Sequence, residues 1–372
     1  MFNSIGVIGG LGRDGRVPLT PSSVQELIRS LEIEVYFTSG SSLAAGYSDL
    51  EYEAVGAQVV SKQEVIRSAD LILTTNEMDF VSELRPHQYV VGVFNFLYHK
   101  ERLVPFIDRE LTVYSLDLLP RTTIAQSMDV LSSMASLAGY KAVIKAANLY
   151  PSAFPMLTTA AGTIKPAQVL VLGAGVAGLQ AIATAKRLGA RVEAFDVRSS
   201  AKEEVESLGA QFIEVEGYAE SSAHGGYAME QSEAYKAKQQ LLIKSRVEKA
   251  DIVISTANIP GKKAPVLMDK SSMESMHPGS VIVDLASDQG GNCTESVDNQ
   301  TVHHFGVTIV GSSALASEMV HASSTLLSNN YTSFLKHLHK NIDNPLDPLL
   351  SESRMVDKGV CTRPTINTES KS

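Results

Sequence analysis

The chain has 372 residues, which at about 150 residues per domain is enough for two or three domains. Its 32 lysines and arginines and 41 aspartates and glutamates give a formal net charge of −9, which argues against a nucleic-acid or anionic-membrane binder because such proteins need a basic surface. The two cysteines, Cys293 and Cys361, are too few for a disulfide scaffold and fit a reducing cytoplasm.

The amino terminus predicts a short strand and a glycine-rich turn over 1–13, without the basic start and apolar run of a signal peptide. The best candidate for a membrane span is 166–185, which carries no charge but is interrupted by three glycines. A strand, a turn and a helix explain this stretch better than a span of about 20 apolar residues does. We therefore expect a soluble chain with no membrane span of its own.

The first third of the chain alternates segments with strand and helix periodicity. The pattern predicts a helix over Pro21–Leu31, with Thr20 or Ser22 as its cap. It also predicts strands over 4–8, Glu34–Thr38, 70–74 and 89–94. Such alternation predicts a parallel sheet with helices on both faces.

The remaining chain predicts a second domain of the same kind. Apolar residues at spacings of three and four predict one long helix over 127–150. A second strand series is predicted over Gln168–Leu172, Arg191–Phe195, 212–215, 251–255, 280–285 and 307–310. Around these strands we expect a helix over 177–188, a mobile loop at 216–231, a helix over 317–339 and an irregular tail from Asn341 onward.

The expected fold class is therefore α/β, with two doubly wound, Rossmann-like domains whose parallel sheets are joined by long helices. We expect the first domain to comprise 1–131 together with 312–372. The second would comprise 132–311. The predicted helix over 127–150 would bridge the two.

The motif with the clearest chemistry is GAGVAG at 173–178, which directly follows a predicted strand and directly precedes a predicted helix. In this context a GxGxxG turn binds the diphosphate of a dinucleotide. Gly173 permits the tight turn, Gly175 lets backbone amides approach the diphosphate, and Gly178 lets the helix pack close to the sheet. The amino terminus of the helix adds free N–H groups and a partial positive charge.

An acidic residue closes the next strand, about 20 residues after the turn, where it can accept hydrogen bonds from an adenosine ribose. This residue is Asp196, and its carboxylate would repel a 2′-phosphate, which favours NAD over NADP. Arg198 leaves the alternative open, because an arginine near this position can accommodate a 2′-phosphate. The other interpretation of Arg198 is a solvated surface side chain.

Several long segments together resemble one family. The runs RTTIAQSMDVLSSMASLAGY at 121–140 and FPMLTTAAGTIKPAQVLVLGAGVAGLQAIATAKRLGARVEAFDVRS at 154–199 resemble the NAD(H)-binding alpha subunit (domain I, soluble split form) of proton-translocating NAD(P) transhydrogenase, in the alanine dehydrogenase/transhydrogenase superfamily. Shorter matches are GGYA at 225–228, IPGKKAPVL at 259–267, PGSVIVDLA at 278–286 and GGNC at 290–293. The segment GRVPLTPSSVQEL at 15–27 is similar to the opening motif shared with alanine dehydrogenase.

The resemblance implies roles for particular residues. The family's Arg–Gln–Asp loop, which contacts the nicotinamide end of NAD(H), matches Arg121, Gln126 and Asp129, with Ser132 just beyond, and these four are the implied catalytic set. The family's mobile-loop tyrosine matches Tyr227. The implied cofactor-binding residues are Gly173, Gly175, Val176, Ala177, Gly178, Asp196, Val197, Arg198, Gly226, Tyr227 and Ala257. No metal site is implied.

The resemblance also implies an activity and partners. The expected function is direct hydride transfer between NADH on this chain and NADP(H) on a partner subunit, coupled to proton translocation by membrane subunits. We expect a homodimer that docks onto NADP(H)-binding and membrane-spanning subunits at the cytoplasmic face of the inner membrane, without nucleic acid. Such a transfer needs two nicotinamides about 3–3.5 Å apart and exclusion of water, and it needs no general acid, base, metal or nucleophile.

Other interpretations stay open for these residues and for the chain. On spacing alone, Asp129 caps the long helix and Tyr227 is a surface aromatic. An alanine dehydrogenase-like oxidoreductase is one alternative, although the lysine with which that family holds its keto acid is absent from LILTTNEMD at 71–79 and His99 lies several residues late. Departures from the family at 9–16 (GGLGRDGR) and 312–319 (SSALASEM) keep a non-catalytic, NAD(H)-binding regulatory module as another.

Three further features carry ordinary structural interpretations. Arg16 is interpreted as a structural ion-pair or fold residue. The histidine pairs at 303/304 and 337/339 lack the neighbouring carboxylates and thiols of a metal site. Cys293 and Cys361 have no CxxC partner and are expected to be inert.

Overall fold

The computed structural model describes residues 2–10, 14–215, 233–259 and 261–363, and the chain divides into two compact units. The first unit comprises Met1–Met134 and Ser317–Ser372, and the second comprises Ala135–Ala316. The fold is α/β with mixed, predominantly parallel sheets, which confirms the predicted class. The mobile loop expected at 216–231 lies outside the described residues.

Six parallel strands form most of the sheet in the first unit. They are β1 Ser4–Val7, β2 Glu34–Thr38, β3 Gln58–Val60, β4 Leu71–Leu73, β5 Tyr89–Gly92 and β6 Thr112–Ser115. The helices that alternate with them are α1 Pro21–Leu31, α2 Asp49–Ala54, α3 Lys62–Ser68 and α4 Val104–Asp108. Every residue of β1 and β4 is buried, because helices cover both faces of a parallel sheet. The predicted strands and the predicted helix are confirmed here.

The second unit contains a seven-stranded sheet and a separate hairpin. The helices from this part of the chain are α5 Val130–Leu149, α6 Val176–Arg187, α7 Ala201–Ser207, α8 Glu233–Val247 and α9 Lys270–Glu274. The hairpin strands are β7 Leu157–Thr159 and β8 Gly162–Ile164. The sheet strands are β9 Gln168–Leu172, β10 Arg191–Phe195, β11 Gln211–Phe212, β12 Ile252–Ser255, β13 Val281–Asp284, β14 Gln300–His304 and β15 Val307–Gly311. The hairpin and β14 were not predicted.

The strand order in the second unit places a crevice at one defined point. The order is β11-β10-β9-β12-β13-β15-β14, and all pairs are parallel except β14 with β15. From β9 the chain winds outward to β10 and β11, and it then returns to β12 on the other side of β9. Ligands of such doubly wound sheets bind outside the carboxyl ends of the strands where the winding reverses, which here is between β9 and β12.

The irregular tail predicted from Asn341 is wrong. The long helix α10 Val320–Asn341 is followed by α11 Pro348–Ser353 and by two strands, β16 Arg354–Asp357 and β17 Val360–Cys361. Strand β16 pairs antiparallel with β6, and β17 pairs antiparallel with β16, so the first sheet is mixed rather than wholly parallel. The pairing buries Met355 and Val356 completely. A four-residue strand with two apolar residues has too little periodicity to be recognised in the sequence.

Asp347 joins α10 to the amino terminus of α11. Its carboxylate accepts a hydrogen bond from the backbone N–H of Leu350 at 2.9 Å and lies 2.9 Å from Nε2 of His337. Burial opposes ionisation, but these two partners outweigh it, and the pKa of Asp347 lies below its ordinary value. A depressed folded-state pKa contributes stability that is present above the ordinary aspartate pKa and is lost as the pH falls through the depressed value.

We therefore expect acid to destabilise the wild-type chain more than the Asp347→Asn variant, which keeps an oxygen for Leu350 but has no charge. Denaturant unfolding followed from about pH 7 to about pH 3 measures this difference. The variant should be less stable near neutrality, and the two curves should converge in acid. A difference in unfolding free energy between the two proteins that stays constant with pH would contradict a stabilising role for the Asp347 charge.

The described residues carry neither a membrane-crossing helix nor a metal cluster. No helix among them is both long and apolar enough to cross a membrane. Within the same residues, no three or more histidine, cysteine or acidic side chains come together as metal ligands. His303 instead lies 3.1 Å from the Thr308 hydroxyl, and Arg16 donates from Nε to Asp14 at 2.8 Å, which confirms the ion-pair interpretation of Arg16.

Candidate functional site

The glycine turn links the end of β9 to the start of α6. Gly173 has a φ of +97°, in the left-handed region that favours glycine, and a Cβ there would lie 2.7 Å from the hydroxyl of Thr256. A Cβ at Gly178 would overlap the carbonyl oxygen of Gly173. The packing of the turn itself therefore requires both glycines.

Gly175 is different, because the fold does not require a glycine at this position. It is the N-cap of α6, its φ is −78°, and a Cβ added to it would meet no atom within 4 Å. The first N–H groups of a helix lack intrahelical partners and carry partial positive charge, so an anion can approach the amides of Val176, Ala177 and Gly178 from this open side. This geometry fits a diphosphate.

Asp196 follows β10, and its carboxylate is already fully hydrogen-bonded. Oδ2 accepts from the Ala174 N–H at 2.7 Å and from Nη2 of Arg198 at 3.0 Å. Oδ1 accepts from the N–H of Arg198 at 2.8 Å and from its Nε at 3.0 Å. A carboxylate offers about four acceptor positions, so a ribose hydroxyl would have to replace one of the Arg198 bonds.

Arg198 is an ion-pair partner of Asp196 rather than a freely solvated side chain. The hydrogen bond to Asp196 raises the pKa of the Arg198 guanidinium above its ordinary value. The Asp196 side chain is only 7% exposed, and Val197 between the two is half-buried. The strand end therefore presents a hydrogen-bonded ion pair rather than a free carboxylate.

Ala257 follows β12 by two residues and lies beside the glycine turn, since a Cβ at Gly173 would lie 3.2 Å from its backbone N. The hydroxyl of the preceding Thr256 donates to the carbonyl of Gly173 at 3.0 Å, which ties the two strand ends together. The N–H of Ala257 donates to Oδ1 of Asn292 at 3.0 Å. Asn292 is fully buried, and sequence reasoning missed it although it stands in the noted segment GGNC.

Two other residues of this unit escaped the sequence analysis. Gly139 of α5 lies so close to the start of α6 that a Cβ would overlap the carbonyl of Ala177. Asp284, the last residue of β13, is completely buried, and burial raises its pKa above the ordinary value although three backbone N–H groups oppose this. A lone acidic residue within the largely apolar predicted strand 280–285 was the signal available for Asp284.

The implied nicotinamide loop lies in the first unit. Gln126, in the 3-10 helix Ile124–Met128, and Arg121 before it are exposed. Asp129 caps α5, since its Oδ1 accepts from the N–H of Ser132 at 2.9 Å and its Oδ2 accepts from the Ser132 hydroxyl at 2.6 Å. The helix-cap interpretation of Asp129 is therefore confirmed, and its carboxylate and Ser132 are bonded to each other.

The cap predicts how two substitutions at this residue will differ. Asp129→Ala removes the acceptor and should destabilise the chain by about 1 kcal/mol, whereas Asp129→Asn keeps an N-cap acceptor and should cost much less. Denaturant unfolding of both variants measures the difference. Equal losses in the two would show that the charge, and not the cap, stabilises this helix start.

Gly226 and Tyr227 lie outside the described residues. The implied site residues that are described fall into two groups. The first unit contains Arg121, Gln126, Asp129 and Ser132. The second unit contains Gly173, Gly175, Val176, Ala177, Gly178, Asp196, Val197, Arg198 and Ala257.

The doubly wound sheets and the glycine turn at the winding reversal define a Rossmann-like protein. The chain belongs to the alanine dehydrogenase/PNT family. Residues 12–138 match the family's N-terminal domain and residues 142–366 match its C-terminal domain.

Relatives and a solved structure agree with this family. The chain is 42% identical to a Rickettsia prowazekii protein named as the first part of NAD(P) transhydrogenase subunit alpha, over 92% of this chain and 91% of the relative. It is also 42% identical to the protein of the same name from Rhodospirillum rubrum, over 87% and 86%. The crystal structure of transhydrogenase from Sinorhizobium meliloti is 37% identical, with a TM-score of 0.85 over 97% of this chain and 99% of that one.

Proposed function

We propose that this chain is the NAD(H)-binding alpha subunit of a Re/Si-specific, proton-translocating NAD(P) transhydrogenase. The proposed reaction is direct hydride transfer between NADH on this chain and NADP+ on a partner subunit. The two relatives named for NAD(P) transhydrogenase subunit alpha support the proposed identity of the subunit. The observation that supports nucleotide binding is the open approach to the amino terminus of α6 at Gly175.

The second unit would bind the adenosine and diphosphate parts of the nucleotide. The amides of Val176, Ala177 and Gly178 would donate to the diphosphate. Asp196 would accept a ribose hydroxyl in exchange for one of its bonds to Arg198. The exchange keeps every acceptor position of the buried carboxylate filled, which avoids the cost of an unpaired buried charge.

The loop of the first unit would orient the nicotinamide. When bound, NADH supplies the hydride, and the chain's own residues have no proton to move. Arg121 and Gln126 would fix the carboxamide, because an amide and a guanidinium are hydrogen-bonding groups suited to that task and poor proton donors at neutral pH. Asp129 and Ser132 would keep the loop in place through the cap of α5.

The proposal includes an assembly. The chain would form a homodimer and dock onto NADP(H)-binding and membrane-spanning subunits, which would couple hydride transfer to proton translocation. It would lie at the cytoplasmic face of the inner membrane through these partners. The subunit wording in the names of the relatives supports the partners.

The experiment mixes the purified chain with an NADP(H)-binding transhydrogenase domain and follows hydride exchange between NADH and an NADP+ analogue. We expect exchange that requires both proteins. Tight NADH binding without exchange would favour a regulatory module. Oxidation of NADH by pyruvate and ammonia would favour the alanine dehydrogenase-like alternative.

Gln126→Ala tests the role of the loop in the same assay. Because orientation of the reacting ring affects the transfer step more than binding, we expect exchange to slow by about tenfold to about a hundredfold while NADH affinity changes by much less. Ser127→Ala changes the neighbouring exposed side chain and serves as the control, with an unchanged rate. An unchanged rate in Gln126→Ala would remove Gln126 from the site.

A further inference from the structure

A buried asparagine holds the loop that follows β12. The Nδ2 group of Asn292 donates to the carbonyls of Ala257 and Pro265, both at 2.8 Å, and its Oδ1 accepts from the N–H of Ala257 at 3.0 Å. Three of the four hydrogen-bonding positions of this amide are therefore used on the backbone of Ala257 and Pro265. The 257–265 loop here means the described residues 257–259 and 261–265. One side chain thus fixes both ends of that loop.

A buried carboxylate holds Asn292 in turn. Oδ2 of Asp284 accepts from the N–H of Asn292 at 2.8 Å and from the N–H of Cys293 at 3.2 Å, and Oδ1 accepts from the N–H of Ala286 at 3.0 Å. Gly291 lets the chain turn here with a φ of +75°. Asp284 thus folds the turn after β13 so that the Asn292 amide faces the 257–265 loop.

The 257–265 loop begins beside the point where the winding of the sheet reverses, between β9 and β12. The N–H of Thr256 donates to the carbonyl of Leu172 at 2.8 Å, and its hydroxyl donates to Gly173 at 3.0 Å. Residues 258, 259 and 261–263 are exposed after this point. In a doubly wound fold the two halves of a dinucleotide lie on opposite sides of the reversal. Asp196 marks the adenosine side, so the loop after β12 lies on the other side.

We infer that Asn292 and Asp284 are positioning residues for the nicotinamide half of the bound nucleotide, which they serve by fixing the 257–265 loop. The inference rests on the proposed function, because it assigns a task within the same nucleotide site. Neither side chain would touch the nucleotide, because both are fully buried and hydrogen-bonded to backbone groups. They act through Ala257 and the exposed residues that follow it.

The test compares NADH with ADP, which has no nicotinamide half. Asn292→Asp keeps the shape but replaces the donor to two carbonyls with an acceptor, so the loop should detach. By calorimetry we expect NADH affinity to fall about tenfold or more, since leaving one buried polar group unpaired costs enough free energy for a tenfold change in affinity. ADP affinity should stay within about twofold. Equal losses for both ligands, or no loss for either, would overturn the inference.

Cys293→Ala is the matched control. It removes a buried side chain from the next residue, whose Sγ lies 3.3 Å from Sδ of Met273, and it leaves the N–H bond to Asp284 in place. Burial raises the pKa of the Cys293 thiol to about 12, so the side chain that the substitution removes is an uncharged thiol near neutral pH. We expect a lower melting temperature with an unchanged ratio of NADH to ADP affinity. A changed ratio would mean that general softening, and not Asn292, sets the discrimination.

A measurement on the wild-type chain keeps the inference testable if the Asn292 variant does not fold. Amide hydrogen exchange of residues 257–268 should slow when NADH is added and stay unchanged with ADP. Equal protection by the two ligands would overturn the inference. Failure of NADH to bind the wild-type chain at all would instead refute the proposed function.

Discussion

Gly175→Ala should weaken NADH binding by at least about tenfold, and Gly175→Val by about a hundredfold, while the fold stays intact. The added carbon meets no protein atom within 4 Å, and the φ of −78° suits any residue. It would fill only the space through which a diphosphate reaches the helix amides. Loss of the N-cap glycine should cost about 1 kcal/mol at most, so the melting temperature should change little.

Gly178→Ala makes the same chemical change three residues later, but its main effect should be a loss of stability rather than a loss of NADH affinity in a stable protein. Its Cβ would overlap the carbonyl of Gly173, so the backbone of the turn must move and stability should fall by about 1–3 kcal/mol or more. Calorimetry with NADH and thermal unfolding of both variants complete the comparison. Unchanged NADH affinity in a stable Gly175→Ala protein would contradict a diphosphate at this turn.

Asp196→Asn should lower the affinity for NADH and raise the affinity for NADPH. The ratio of NADPH affinity to NADH affinity should therefore rise by about a hundredfold. The substitution removes the carboxylate that would repel a 2′-phosphate and releases Arg198 from its ion pair. A freed guanidinium can form charge-assisted hydrogen bonds to phosphate, each worth about 1.5–3 kcal/mol. The side-chain oxygen of the new asparagine can still accept from the N–H of Ala174, so the chain after β10 should keep its conformation.

The double variant Asp196→Asn with Arg198→Met is the control for this prediction. It lacks the guanidinium, so the gain in NADPH affinity should disappear while the loss in NADH affinity persists. Competition titrations with the two nucleotides measure wild type and both variants under one set of conditions. An NADPH gain that survives in the double variant would show that Arg198 has no part in nucleotide selection.

The parts of the fold that could be predicted depend on local pattern. The strand, glycine turn and helix at 168–187 are contiguous, and the spacing of the three glycines reveals the turn, although its packing requires only Gly173 and Gly178. The helix predicted over 127–150 is observed as Val130–Leu149, because Asp129 caps it and the preceding residues form a 3-10 helix. Local capping chemistry therefore sets the boundary that apolar periodicity could not.

The parts that could not be predicted depend on distant partners. Strand β16 exists because β6, far earlier in the chain, offers it an edge. Asn292 looks like an ordinary loop residue until the fold brings Ala257 and Pro265 to its amide. Gly139 looks like a helix residue of poor propensity, and only the approach of α6 explains it.

The site shows both the strength and the limit of motif reasoning. The acidic position at 196 was recognisable from its distance to the glycine turn. Its pairing with Arg198, which fills the acceptor positions that a ribose would use, depends on side-chain geometry and could not be read from spacing.

The most direct test is a calorimetric titration of the wild-type chain with NADH. The account predicts saturable binding with one nucleotide per chain, because each chain has one such glycine turn among its described residues. In the same titration, the Gly175→Val variant should bind NADH about a hundredfold more weakly while remaining folded. No heat of association with NADH in a folded wild-type chain would contradict the account.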